Sequence, residues 1–315
     1  MTTTPLQTFR TAPIELVTRA NLGDDDFHRW RREHDVFRVR PAVYADRDTW
    51  WALPPWDRYL ARVHAAALRM PRAVFARESA CALLGLPVLG EPTEIHVLVR
   101  RPGAARITGD VQGHFATDEL ELLRADGLAS VSARDTVVDI ARSGHPAYAL
   151  AVADAAMRES GITGSDLTTI NESRVSARGR RPADWPLSRA TGVPESVLES
   201  ISLAAIEWLG FPAPELQVEF DLGGGAIARV DAFWRRWRVI GEADGAAKYR
   251  GDDRSMLAEK RREDALRRHV SGFARWGWDE IREPNTLGSI LSDAGVPRIR
   301  QPDATRLRML RDLLP

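Results

Sequence analysis

The segment Ala228–Tyr249, ARVDAFWRRWRVIGEADGAAKY, constrains the fold most strongly. Loose alternation through AIARVDAFW and a second short apolar run, WRVIGEA, predict two antiparallel strands joined by a tight turn near Arg236 and Trp237. A turn at Arg236-Trp237 pairs residue 235 with 238 and sets Asp231 directly opposite Glu242. A turn at Arg235-Arg236 instead places Asp231 opposite Ile240, with Glu242 its diagonal neighbour. Asp244 shares the Glu242 face because strand side chains repeat every two residues. Like charges this close need a cation, a proton or full solvation. Mg²⁺ suits carboxylates and water best, and Asp231, Glu242 and Asp244 are its candidate ligands. The plainer alternative is that Glu242 and Asp244 close a strand and Asp244-Gly245 is an ordinary turn.

Flanking patterns extend the hairpin into a domain over 192–315. Leu198, Ile201, Leu203, Ala205, Ile206 and Leu209 give a helix with a broad apolar face. Strands are expected at 215–221, 227–235 and 238–244, then a basic helix in AEKRREDALRRH and a fourth strand in GFARWGWDEI. Gly223-Gly224-Gly225 reads as a loop and not a phosphate cradle, since no Gly-Lys-Ser/Thr and no helix follow. Arg229, Arg235, Arg236, Arg238, Lys248, Arg250, Arg254, Lys260, Arg261, Arg262, Arg267 and Arg268 make this region locally basic, as a phosphate substrate requires. Trp234, Trp237, Trp276 and Trp278 are candidates for base stacking or for core packing.

The order αβββαβ and these residues resemble the PD-(D/E)XK nuclease superfamily, most closely its branch related to very-short-patch-repair endonucleases. The resemblance rests on Glu199 in PESVLESISLAAIEWLG, Gln217 in PELQVEF, Asp231 in RVDAFW, and Glu242 with Asp244 in IGEADG. It implies a Mg²⁺-dependent (or Mn²⁺-dependent) phosphodiester hydrolase in which Asp231 and Glu242 hold the ion and Asp244 or Glu199 completes its shell. Gln217 orients a ligand or pairs with backbone. The superfamily usually has lysine where this chain has Asp244. The related branch carries aspartate there and a histidine four residues on, at the position of Lys248. Lys248 is therefore the candidate for polarising the attacking water or the scissile phosphate.

Residues 1–55 give a different signal. A helix is expected over Ile14–Asn21, a turn at Leu22-Gly23, a second helix capped by Asp24 through about His34, and two short strands, VFRVR and AVYA. That is the order of a winged helix-turn-helix. It offers His28, Arg29, Arg31 and Arg32 to a major groove and Arg38 and Arg40 to phosphates. A solvated arginine face around Phe27 and Trp30 is the alternative. The segment resembles the N-terminal domain of AbiEi-type antitoxins, which implies an autoregulating repressor with a cognate toxin or another defence protein as partner. Arg40-Pro41-Ala42-Val43-Tyr44 departs from that family's arginine-glycine-valine-tyrosine wing.

Between these ends, 56–175 is expected as a middle α/β domain and 176–191 as an exposed linker with a short helix near Trp185. Helices are expected at Asp57–Met70, Ser79–Leu86, VSARDTVVDIARSG and PAYALAVADAAMRES, with a strand in TEIHVLVRR. No chemistry is expected here. His96 and His114 read as solvent-facing, with no partner at metal-ligand spacing.

Composition narrows the function. At 315 residues, 44% hydrophobic and 28% charged, the chain is long enough for several domains of an ordinary α+β protein. Net charge is zero, so nucleic-acid contact must come from local patches. A single cysteine excludes a disulfide framework, and Cys81 reads as a small buried apolar residue. No run reaches the roughly 18 apolar residues of a membrane span and no signal-peptide pattern is seen, so a cytoplasmic location is expected. Two functions remain: a metal-dependent DNA endonuclease in phage defence or repair, and a non-enzymatic antitoxin or repressor with a degenerate nuclease domain.

Overall fold

The computed structural model describes residues 8–245 and 253–314; over 253–259 it describes the backbone alone. The chain is α+β, with four small sheets among the described residues. It forms two compact units, Met1–Ser143 with Ser165–Asp184 and Gly144–Gly164 with Trp185–Pro315.

The first unit opens with α1 (Arg19–Leu22), α2 (Asp24–Glu33), and the hairpin β1 (Val36–Arg40) and β2 (Val43–Asp46). The helix expected over Ile14–Asn21 is a single turn. Ile14 and Leu16 are buried in the core, and Val17 bridges to Tyr44 as extended chain before Thr18 caps α1. Gly23, not Asp24, stands at the N-cap of α2, and Asp24, Asp25 and Asp26 fill its first turn. Next come α3 (Arg47–Ala52), α4 (Pro55–Arg69), α5 (Arg77–Leu84), β3 (Ile95–Val99), β4 (Ile107–Thr108), β5 (Val111–Phe115), β6 (Leu122–Ala125), β7 (Leu128–Val131) and α6 (Ala133–Ser143).

Residues on both sides of position 55 pack together in two core clusters. Ile14, Leu16, Val43 and Trp50 pack with Ala61 and Ala65 of α4, and Phe9 packs with Tyr59, Leu60 and Phe75. Arg40 bonds Asp110 through both guanidinium arms, at 2.7 and 2.8 Å. The chain leaves this unit through α7 (Pro146–Ser160), returns in α8 (Gly164–Ser173), and runs on into α9 (Arg180–Arg189).

In the second unit α10 (Val197–Trp208) precedes β8 (Glu215–Gly223), β9 (Ala226–Trp234), β10 (Val239–Ala243), α11 (Asp253–Arg267) and β11 (Gly272–Trp276). Helices α12 (Trp278–Arg282), α13 (Pro284–Asp293) and α14 (Ala304–Leu313) follow. The sheet order is β11-β10-β9-β8, with β8, β9 and β10 an antiparallel meander and β11 parallel to β10. A parallel neighbour needs a crossover, which α11 supplies.

Each face of this sheet carries one helix. Leu266 of α11 packs with Val230, Phe233 and Ile240, whereas Ser202 of α10 accepts a 2.7 Å hydrogen bond from the indole of Trp276. Helix α7 is tied to α10 through buried Asp154, which accepts from Ser200 at 2.8 Å and from the backbone of Thr191 and Gly192.

Trp234 and Trp276 are buried in this core, 2% and 3% exposed, so neither is available to stack on a base. They close over Gly241, where an added Cβ would lie 2.6 Å from Trp276 and 2.9 Å from Trp234. Two rigid indoles cannot both retreat. Gly241→Val is expected to destabilise the second unit by about 1–3 kcal/mol, read from denaturant unfolding followed by tryptophan fluorescence; an unchanged midpoint would refute the packing argument.

Candidate functional site

Trp234 pairs with Val239, Phe233 with Ile240 and Ala232 with Gly241. This register matches a turn centred on Arg236-Trp237, and counting one step further sets Asp231 level with Glu242. The ladder stops at Ala232 and Gly241, however. Beyond it the Asp231 Oδ2 atom accepts the Ala243 amide at 2.9 Å, taking the place of a strand carbonyl where β9 and β10 part. A carboxylate in that fork satisfies a donor the sheet would otherwise leave unpaired.

Asp231 and Glu199 line one small pocket with Ser202, Leu216, Ala243 and Trp276. Its free volume is about 10 Å³, room for about one water molecule. Glu199 lies in the first turn of α10 and accepts the Glu195 amide and the Gln217 side-chain amide, each at 2.9 Å. Gln217 holds a left-handed φ of 53° inside β8, between Leu216 and Val218, whose partners Ala232 and Val230 flank Asp231. Three sequence-predicted residues from a helix and two strands thus meet at one end of the sheet.

Glu242 is placed differently. It is 7% exposed and lies on the α11 face, where Arg262 bonds Oε1 at 2.8 Å and Arg275 bonds Oε2 at 2.9 Å. Arg275 also pairs with Glu263 at 3.2 Å, and its Nη1 stands 3.8 Å from Asp244 Oδ2. Desolvation works against the Arg275 charge, but the bonds to Glu242 outweigh it and raise its pKa above the usual arginine value. Asp244 Oδ1 is buried and has no hydrogen-bond partner among the described residues. Lys248 lies outside the described residues, as do Arg250 and the side chain of Arg254.

Hard carboxylate oxygens at Asp231 and Asp244 suit Mg²⁺ or Mn²⁺. A carboxylate has about four lone-pair sites, so Glu242 keeps acceptor capacity beyond its two guanidinium bonds. Among the described residues no three of His, Cys, Asp and Glu are grouped as metal ligands.

No protein-family description matches the chain. Two proteins of Mycobacterium tuberculosis are similar to part of it: the uncharacterized protein MT2308 of strain CDC 1551 / Oshkosh and the uncharacterized protein Rv2248 of strain ATCC 25618 / H37Rv. Each is 31% identical over 141 residues, 45% of this chain. The chain spans about half, 52%, of these relatives' length.

The arginines expected on DNA divide into two sets. Arg29 is paired with Asp26 at 2.6 Å, Arg31 lies over the rings of Phe27 and Tyr44, and Arg40 is committed to Asp110. Arg32 and Arg38 are exposed with no ion pair among the described residues. No described helix is long and apolar enough to cross a membrane.

The first unit also contains a cleft of about 910 Å³ that sequence reasoning missed, lined by Arg77, His96, His114, Phe115, Asp139, Arg142, Arg174 and Arg178 among others. His96 and His114 are not solvent-facing. Their rings stack at 5.1 Å with Nδ1 of His96 2.9 Å from Nε2 of His114, and His96 Nε2 lies 3.2 Å from Glu78. Burial, with the charge of Arg77, holds His114 down to about 3 and lowers His96 as well. The pairing arises because parallel β3 and β5 set Leu98 beside His114 and His96 beside Gln112, making the two histidines diagonal neighbours. The sequence signal was present in two short strand-like runs, IHVLV and VQGHF, each with one histidine.

Asp139 in this cleft is pushed up to about 6, by burial first, against the opposing pull of Arg174 and Arg77. Its raised value means the folded chain keeps a proton that the unfolded chain releases between about pH 4 and 6, so stability falls as pH rises through that window. Asp139→Asn is therefore expected to stabilise by about 1–2 kcal/mol near pH 7.5 and by nothing near pH 4. Urea unfolding at both pH values checks this; an equal effect at both would show that Asp139 ionisation is not the cause.

Proposed function

We propose that the protein binds DNA and that its second unit is a PD-(D/E)XK-like domain hydrolysing phosphodiester bonds with Mg²⁺ or Mn²⁺, in phage defence or DNA repair. One observation carries the reading. On a helix-three-strand-helix-strand frame, Asp231 fills the fork between β9 and β10, and Asp244, the residue after β10, has a buried oxygen with no hydrogen-bond partner among the described residues. Buried acceptors are normally satisfied, so such an oxygen is open to a donor or ion that the described residues do not supply.

In this reading Asp231, Glu242 and Asp244 would hold the metal, with Glu199, which accepts from Gln217, in the pocket beside Asp231. A metal held there would supply an acidified water and offset charge on the phosphate. Arg262 and Arg275 offset the Glu242 charge and fix the direction of its carboxylate. Lys248, outside the described residues, would supply a further positive charge in this reading. On the first unit, exposed Arg32 and Arg38 contact DNA phosphates. The three aspartates opening α2 repel phosphate, so contact falls to the later half of that helix and to the hairpin.

A second reading has its own support. Because Glu242 is held by two guanidinium groups, the arginines occupy the place of a cation, which favours a non-enzymatic AbiEi-type repressor or antitoxin that binds DNA or a toxin.

Plasmid and labelled linear DNA incubated with Mg²⁺ or Mn²⁺ separates the two. The nuclease reading expects cutting that falls by about a hundredfold or more in Asp231→Ala and in Asp244→Ala. No cutting, with DNA retardation lost in the Arg32→Ala, Arg38→Ala double variant, would establish the repressor reading instead.

A further inference from the structure

The cleft of the first unit plays no part in either reading, yet its wall carries unspent positive charge. Arg77 is half-buried and makes no hydrogen bond or ion pair among the described residues. Its backbone holds φ at 50°, a left-handed value that a non-glycine residue adopts at a cost and that recurs where a side chain must be aimed at a ligand. Exposed Arg178 likewise has no carboxylate partner among the described residues.

The other arginines are committed to building the wall. Arg142 donates to the carbonyls of Asn171, Ser176 and Arg178, and Arg174 pairs with Asp135 at 2.7 Å. These bonds fasten the segment after α8 to α6. The acids on the lining are occupied as well. Asp118 accepts the Val175 amide at 2.6 Å, Glu94 accepts the Thr93 hydroxyl at 2.6 Å, and Asp139 stands 3.6 Å from Arg174. The cleft is thus left with two guanidinium forks, the geometry that binds phosphate oxygens in pairs.

Two further features define the ligand. His96 and His114 are hydrogen-bonded to each other and both held below the usual imidazole pKa, foremost by burial, which places imidazole polar atoms on the same lining as Arg77; Asp139, which also feels the Arg77 charge, lies there too. Phe115 and Ile107 are exposed at 39% and 58% and line the same cleft, an apolar surface on which a planar base can lie. The volume is that of a small-molecule site.

We propose that this cleft binds a nucleotide through its phosphate monoester, with Arg77 and Arg178 on the phosphate and Phe115 and Ile107 under the base. The phosphate belongs either to a free mononucleotide or to the 5′ end of a DNA strand.

Calorimetry on the full chain with dAMP, with deoxyadenosine, and with a short DNA strand with and without a 5′ phosphate tests this. Binding that needs the phosphate is expected, with affinity lowered about tenfold or more in Arg77→Gln, the scale of one lost charge-assisted pair. Preference for dAMP or for the phosphorylated strand identifies the source. Imidazole signals of His96 and His114 in the unaltered chain should shift during the same titration, a readout that does not depend on a variant folding. Absence of heat and of imidazole shifts up to millimolar ligand, equal affinity for deoxyadenosine, or an unchanged affinity in well-folded Arg77→Gln would each overturn the proposal.

Discussion

Glu242 is a carboxylate almost without exposure, and a charge in that position is tolerated only with partners that offset its desolvation. The partners come from two elements distant in sequence, Arg262 on α11 and Arg275 on β11. Because β11 lies beside β10 only through the α11 crossover, the same two ion pairs that settle the charge also hold helix and edge strand to the sheet. Opposite them, Gly241 lets Trp234 and Trp276 close beneath α10. One strand of five residues, Val239–Ala243, thereby carries a charged lock on one face and an indole lock on the other.

How much of this was legible in the sequence depended on range. Alternation and a short loop left two turns open, and the β9–β10 register fits the one at Arg236-Trp237, with a ladder that ends at Ala232 and Gly241, short of Asp231 and Glu242. The order of helix and strands around that hairpin was legible for the same reason, because each element has its own apolar period. What counting could not show was the parting of the strands just beyond Ala232 and Gly241, where the Asp231 side chain replaces a backbone partner. Nor could it show that basic residues expected to face phosphate would pair with carboxylates of the chain. Arg262 and Arg275 bond Glu242, Arg235 bonds Glu215, and Arg229 bonds Glu195.

At the other end of the chain, local pattern misled where tertiary packing overrode it. Ile14 to Asn21 has helical spacing, but Ile14 and Leu16 gain more by entering the core around Trp50, and Val17 gains a strand partner in Tyr44. Arg40, read as a wing residue for phosphate, is locked to Asp110, seventy positions away. The His96–His114 contact joins strands whose pairing nothing in either strand announces. In each case the missing information was a long-range partner, which a single sequence does not encode at fixed spacing.

The two sites of the chain use arginine in opposite ways, and the contrast follows from where each guanidinium finds its counter-charge. Beside Glu242 the arginines are spent, so any phosphate or metal arriving there must share or displace them, and the surplus acceptor among the described residues is an Asp244 oxygen. Around the cleft of the first unit Arg77, Arg142, Arg174 and Arg178 stand against Glu94, Asp118 and Asp139, so the surplus is cationic. A net-neutral chain can thus leave an acceptor unpaired in one place and guanidinium groups unpaired in another, among the described residues, without any excess of either charge. Neutral composition therefore reports nothing about phosphate recognition; the pairing pattern of individual side chains does.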